Sequence, residues 1–170
     1  MSITVAKSAG FCFGVNRAIN IVNSLLDKNV KVSTLGPIIH NMEVVNELES
    51  RGCKAVDNID EVEKDATLVI RSHGVPKYVI DKLDENGVKY EDATCPFVKK
   101  IHNIVANPDN KDGIVLIAGN SVHPEVEGII GHCSTECHTF KNSEEIDEIY
   151  NNILKKNNKQ VFVVAQTTFD

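Results

Sequence analysis

Two cysteines stand where a chain turns from strand to helix. Cys12 lies between glycines in Gly10-Phe11-Cys12-Phe13-Gly14, just ahead of a helical stripe, and Cys95 lies in Thr94-Cys95-Pro96 at the head of another. A helix N-terminus favours the thiolate, the metal-binding and nucleophilic form of cysteine. One such cysteine reads equally well as a buried thiol; two at matching corners read as a shared site. Three histidines occupy similar turns, in His40-Asn41, Ser72-His73-Gly74 and Ser121-Val122-His123. Imidazoles beside the free amides of helix starts make an anion site that a diphosphate fits. His123-Pro124-Glu125 sets a carboxylate two residues from an imidazole. That is an acid/base unit or, taken alone, a glutamate favoured by the helix dipole. Gln166-Thr167-Thr168 adds an amide and two hydroxyls at a further turn.

The remaining cysteines and histidines read differently. Cys53 follows Gly52 at a helix end and reads as structural. Cys133 and Cys137 with His132 and His138 form a compact Cys/His cluster. Its Cys-x3-Cys spacing departs from the paired pattern of structural zinc, and no second pair lies nearby. His102, inside a helix, and His132 and His138 read as structural residues.

The elements that must position these residues alternate between strand and helix. Ile3–Val5 is a short apolar run. Val15, Ala18, Ile19, Val22, Leu25 and Leu26 share one helical face. Val30–Leu35 reads as a strand stopped by Gly36-Pro37, and Met42–Leu48 as a helix ended by Gly52. Thr67–Ile70 is a strand; Pro76 suits the first helical position, and Gly87 the cap that closes that helix. Val88–Tyr90 is a strand leading to the Cys95 turn. Ala106–Gly113 is a loop or boundary, and Ile114–Ala118 reads as a strand buried on both faces. Glu144–Lys155 is an amphipathic helix with Asn142 as N-cap and Glu145 as its capping-box partner. Val161–Ala165 is the last strand.

This order predicts an α/β fold: two similar small α/β units with mostly parallel sheets, residues 1–95 and 96–170. Ligands of such sheets bind beyond the carboxyl ends of the strands, where the odd residues fall. The net charge of −6 argues against nucleic acid, which needs a basic face. No apolar run is long enough to span a bilayer, and Met1–Val5 lacks the basic and apolar regions of a signal peptide. The expected compartment is the cytoplasm. There the odd count of five cysteines argues against a disulfide framework.

Six segments together resemble the family of 4-hydroxy-3-methylbut-2-enyl diphosphate reductases, the last enzymes of the non-mevalonate isoprenoid pathway. They are Ala9–Val15, Leu35–Asn41, Arg71–Val75, Asp92–Pro96, Gly119–Glu125 and Ala165–Thr168, in the family's order over the whole chain. The resemblance implies a [4Fe-4S] cluster held by three cysteines, two of them matching Cys12 and Cys95. It implies that His40, His73 and His123 contact the diphosphate of an allylic substrate. It makes Glu125 the proton source and Thr167 a holder of the substrate hydroxyl and of the proton relay. The products would be isopentenyl and dimethylallyl diphosphate, and the electron donor a ferredoxin or flavodoxin. The family fold is a trefoil of three α/β units, of which this chain resembles the first two. The third cysteine falls in the unit not represented here, so the 170 residues alone are expected to hold a cluster poorly and not to turn over. Two other readings stay open: a non-catalytic diphosphate- or metal-binding module of the same fold, and a zinc hydrolase with Cys/His ligands and Glu125 as base.

Overall fold

A computed structural model describes residues 3–6, 9–108, 112–156 and 158–169. Helix α1 spans Phe13–Leu26. Strand β1 (Val32–Leu35) follows, then α2 (Met42–Ser50), β2 (Cys53–Val56) and β3 (Thr67–Ile70). Next come α3 (Lys77–Glu85), β4 (Tyr90–Asp92) and α4 (Pro96–Ala106). The second half holds β5 (Ile114–Ala118), α5 (Pro124–His132), β6 (Glu136–Phe140), α6 (Ser143–Asn152) and β7 (Val161–Ala165). They build two sheets, ordered β2-β1-β3-β4 and β6-β5-β7. Every strand pairing is parallel. Parallel neighbours need a crossover, and the intervening helices supply it.

The central strands explain the pattern of burial. β3 buries all four side chains, with Leu68 and Ile70 in one core cluster and Val69 in the other. Alternate residues of a strand face opposite sides, so both faces of the first sheet are covered. α1 contributes Ala18 and Val22, both with no exposure, to one side, and α3 contributes Leu83 to the other. Burial of Val22 and of Leu83 contributes about 2 kcal/mol each. β5 is likewise buried throughout and packs with Val105, Val126 and Ile129 of α4 and α5. β7 leaves Val163 63% exposed, and no residue of α6 is buried, so the second sheet has one well-filled face.

Several boundaries differ from the sequence reading. The apolar run Ile3–Val5 forms no strand and lies exposed. Pro76 is the N-cap of α3 rather than its first helical residue, because its ψ of 151° is still extended. The strand expected at Val88 begins at Tyr90, since Gly87 (φ +63°) and the bond from Val88 N to Leu83 O (2.9 Å) first close α3. α6 stops at Asn152, and a single tighter turn covers Leu154–Lys156. Its N-terminus does carry the Asn142 cap, accepting from Glu145 N at 2.9 Å. β2 and β6 escaped the sequence reading altogether. No helix of the described residues is long and apolar enough to cross a membrane.

Candidate functional site

Cys12 and Cys95 are the N-cap residues of α1 and α4. Arg17 on the first turns of α1 ties the two helix starts together. Its guanidinium donates to Asp92 O (3.1 Å) and Thr94 O (3.3 Å) in the turn before Cys95. The approach is so close that a Cβ on Gly14 would stand 2.6 Å from Cys95 Sγ. Glycine is required at that position because any side chain would fill the place of the thiol. Cys12 is exposed and Cys95 half-buried. Cys95 N also donates to Ser72 O at 2.9 Å, which fixes the thiol turn to the turn of His73.

His40 follows β1 through Gly36 (φ +68°), His73 follows β3, and His123 caps α5. The three rings converge, with centroids 4.6 Å apart for His40–His73, 5.6 Å for His73–His123 and 6.0 Å for His40–His123. One ring nitrogen from each lies within 4.8 Å of the others. Burial, then the neighbouring His40, Arg71 and His123, push His73 down to about 4. Its Nδ1 is buried without a hydrogen-bond partner. Burial also lowers His123, with His40 and Arg71 acting the same way and Glu125 opposing them. His123 Nδ1 accepts from Glu125 N at 3.1 Å. In the neutral ring the proton is then on Nε2, free to be donated to a ligand.

Glu125 is 2% exposed and is held from the far end of the second sheet. Thr167 N donates to Oε1 at 2.6 Å and Thr167 Oγ1 to Oε2 at 2.8 Å. Thr168 takes a different partner, accepting from Gln166 Nε2 at 2.9 Å.

Arg71 belongs to this group although its sequence context gave it no role. A Cβ on Gly36 would lie 3.0 Å from its Nη1, so its guanidinium rests on the turn that leads to His40. Burial lowers it and Glu127 counteracts. It places a lasting positive charge beside His73, whose ring is kept neutral at pH 7 by burial. An arginine one residue before Ser72-His73 was the available signal.

The Cys/His cluster of the second half separates. Glu136 and His138 lie on one face of β6, bonded at 3.0 Å, while Cys137 lies on the other. The Cys133 and Cys137 thiols are close enough to influence each other, which lowers Cys137 and raises Cys133. Both pack on the second core. Cys53 is buried, and burial pushes its thiol up to about 11. Among the described residues, the one group of three such side chains close enough to share an ion is His40, His73 and His123.

Cys12 and Cys95 suit an iron–sulfur cluster as two of its ligands. Both are soft thiols at helix starts, and Gly14 leaves open the space in front of Cys95 Sγ. The other three cysteines lie elsewhere in the fold.

A model of the LytB protein family matches residues 3–170. A reductase of 4-hydroxy-3-methylbut-2-enyl diphosphate from Clostridioides difficile (strain 630) is 40% identical over 171 residues, covering 100% of this chain and 60% of that protein. Its namesake from Alkaliphilus oremlandii (strain OhILAs) is 44% identical over 151 residues, covering 88% and 54%. A solved (E)-4-hydroxy-3-methyl-but-2-enyl diphosphate reductase, described as the terminal enzyme of the non-mevalonate pathway, superposes with a TM-score of 0.82. It is 37% identical and covers 99% of this chain and 59% of its own. The reductase structure from Plasmodium falciparum gives a TM-score of 0.84 at 30% identity, covering 95% and 50%. The chain thus spans half to three fifths of the length of these relatives. With the match running through every turn that carries the cysteines, the histidines and Glu125, the chain belongs to the LytB family.

Proposed function

We propose that the chain is the amino-terminal part of an enzyme that reductively removes the hydroxyl of 4-hydroxy-3-methylbut-2-enyl diphosphate. The observation that carries this reading is convergence. Two thiols at helix starts, three imidazoles and a buried carboxylate all sit beyond the carboxyl ends of strands, where α/β sheets bind ligands. Similarity to reductases of that name supports the choice of substrate.

His40, His73 and His123 bind the diphosphate. In the free protein burial and the neighbouring positive groups disfavour charge on His73 and His123, and an arriving anion reverses that balance, so binding takes up protons. His123 Nε2–H and the Arg71 guanidinium supply donors and charge. Glu125 is the proton source, its carboxyl group held in place by the Thr167 N–H donating to Oε1 and the Thr167 hydroxyl donating to Oε2. Cys12 and Cys95 would hold an iron–sulfur cluster, which supplies a Lewis-acidic iron and electrons. Two electrons and two protons release the hydroxyl as water and leave isopentenyl or dimethylallyl diphosphate. A small redox protein, ferredoxin or flavodoxin, is the donor, and the cytoplasm the compartment. In this reading residues 1–95 and 96–170 are two units of the enzyme, and the described sheets fall within those limits.

The test is anaerobic reconstitution with iron and sulfide, followed by metal analysis and a visible spectrum. Iron together with sulfide, lost in Cys12→Ser and in Cys95→Ser, is the expected result. No iron from either the 170 residues or the full-length relative-sized protein would overturn it. A second reading rests on the histidines, whose ring nitrogens are near enough to share a divalent metal. It would show as zinc bound without sulfide, lost in His40→Ala and kept in Cys12→Ser.

A further inference from the structure

His102 takes no part in the site described above, yet it sits on the helix that starts at Cys95 and touches both the turn of His73 and the helix capped by His123. It is 5% exposed, on the middle of α4. A Cβ on Gly74 would stand 2.6 Å from its Cε1 and 3.4 Å from its Nε2. A Cβ on Gly128, in α5, would stand 3.2 Å from Nε2 and 3.5 Å from Cε1. The Cε1–Nε2 edge of the ring is therefore wedged between the turn that follows His73 and the helix that starts at His123. On its flat face the ring stacks on His132, with centroids 4.1 Å apart and planes 18° apart. His132 Nε2 in turn lies 3.1 Å from Val75 O, and so donates back to the same turn. His102 Nε2 is buried with no hydrogen-bond partner. What holds the ring in place at that edge is shape.

We propose that His102 is a positioning residue: its imidazole, wedged between Gly74 and Gly128, sets the spacing between His73 and His123. The two histidines follow strands of different sheets, and the hydrogen bond from α5 to the His73 turn, His132 Nε2 to Val75 O, lies at the far end of α5 from His123. α5 meets the turn directly near Pro76, where a Cβ on Gly131 would run into Pro76 Cβ. α4 packs against both nearer the two histidines. Its N-terminus also carries Cys95, so one helix registers the thiol turn, the His73 turn and α5 against each other. The purpose of that spacing rests on the diphosphate reading; the spacing itself does not.

The glycine at 128 makes the idea testable, because alanine is the better helix former and α5 itself should not suffer from it. Gly128→Ala pushes a methyl against Nε2 and is expected to displace the wedge. His102→Asn leaves a gap and is expected to let the turn and α5 slip. Gly128→Ala with His102→Asn refills the gap. The measurements are the imidazole resonances of His73 and His123 by NMR in the ligand-free chain, and calorimetric affinity for inorganic pyrophosphate.

Each single substitution should shift both resonances and weaken pyrophosphate about tenfold, while the double variant returns both toward wild type. A residue that only stabilises the fold would give additive losses and leave the resonances alone. Unmoved resonances in both single variants, or a double variant no better than the worse single one, overturn the proposal. If Gly128→Ala unfolds the chain, recovery of fold and resonances in the double variant supports the wedge, and lack of recovery overturns it. Failure of wild type to bind pyrophosphate would sink the diphosphate reading instead, and the resonances would still decide the role of His102.

Discussion

Two groups of histidines lie on either side of Gly74. His40, His73 and His123 meet at the strand ends, where His40 is exposed and the other two are half-buried. His102 and His132 lie face to face behind that turn, with one edge of His102 sealed by Gly74 and Gly128, His132 bonded to the Val75 carbonyl, and both rings lining a cleft of their own. Burial pushes His73 and His102 alike down to about 4. The shared cause hides different consequences. Around His73 the other contributions come from His40, Arg71 and His123, which an anion can neutralise. Around His102 they come from His132 and Lys99, opposed by Asp92, and all four line a separate cleft with Thr94 and Asn103, away from the His40–His73–His123 group. In the proposed reading one group is charged by a ligand, while the other stays neutral and keeps its shape. What packs around each ring, not residue type, separates binding from positioning.

The largest effect that sharpens this contrast is acid destabilisation. His102 titrates near 6.5 when unfolded and near 4 when folded, so the unfolded chain binds its proton first as pH falls. Stability is then full above about pH 6.5, declines between that and about pH 4, and stays reduced below. The shift corresponds to about 3 kcal/mol as an upper figure for His102 alone. Urea unfolding from pH 7 to pH 4 should show this decline, and His102→Asn should flatten it. An unchanged pH dependence in that variant would break the contrast, because a sealed imidazole must register in stability.

The open group should register in affinity. His73→Asn removes a ring that a bound diphosphate charges, and a charge-assisted hydrogen bond is worth about 2 kcal/mol. Pyrophosphate affinity should fall about thirtyfold. Wild-type affinity should rise as pH falls from 7 toward 5.5, because binding takes up protons, and the variant should lose part of that slope. Calorimetry in buffers of different ionisation enthalpy reads the uptake directly. Zero uptake would mean that the open group binds no differently from the sealed one.

Much of this arrangement was legible in the sequence because its turns are chemically marked. Central strands β3 and β5 are buried on both faces and announce themselves as apolar runs. Pro96 and Pro124 mark the helices that carry Cys95 and follow His123. Two edge strands, β2 and β6, were not legible, whereas the edge strand β7 was, because its residues are apolar throughout. β2 reads Cys-Lys-Ala-Val and β6 Glu-Cys-His-Thr-Phe, and an edge position demands neither continuous apolarity nor clean alternation. Missing β6 made Cys133, Cys137, His132 and His138 look like one cluster, when strand alternation sends Cys137 and His138 to opposite faces. Neither Arg71 over Gly36 nor His102 between Gly74 and Gly128 was legible, because each depends on contacts between segments far apart in sequence.

α5 joins the two groups, for it begins at His123 and ends at His132. Its end is anchored by the stacked pair and its beginning by Glu125, clamped to Thr167. Thr167→Val tests the second anchor and carries the smallest expected effect. It removes the hydroxyl donor to Glu125 Oε2 but keeps the backbone donor to Oε1, so the carboxylate loses one of two bonds. The cost should be about 1 kcal/mol in unfolding free energy. Thr168→Val, whose partner is the Gln166 amide, should change stability by less than about 0.5 kcal/mol. Equal effects from the two substitutions would mean that Glu125 does not depend on Thr167. The beginning of α5 would then be held by packing, as its end is, and the distinction between a chemical anchor and a shape-defined one would fail.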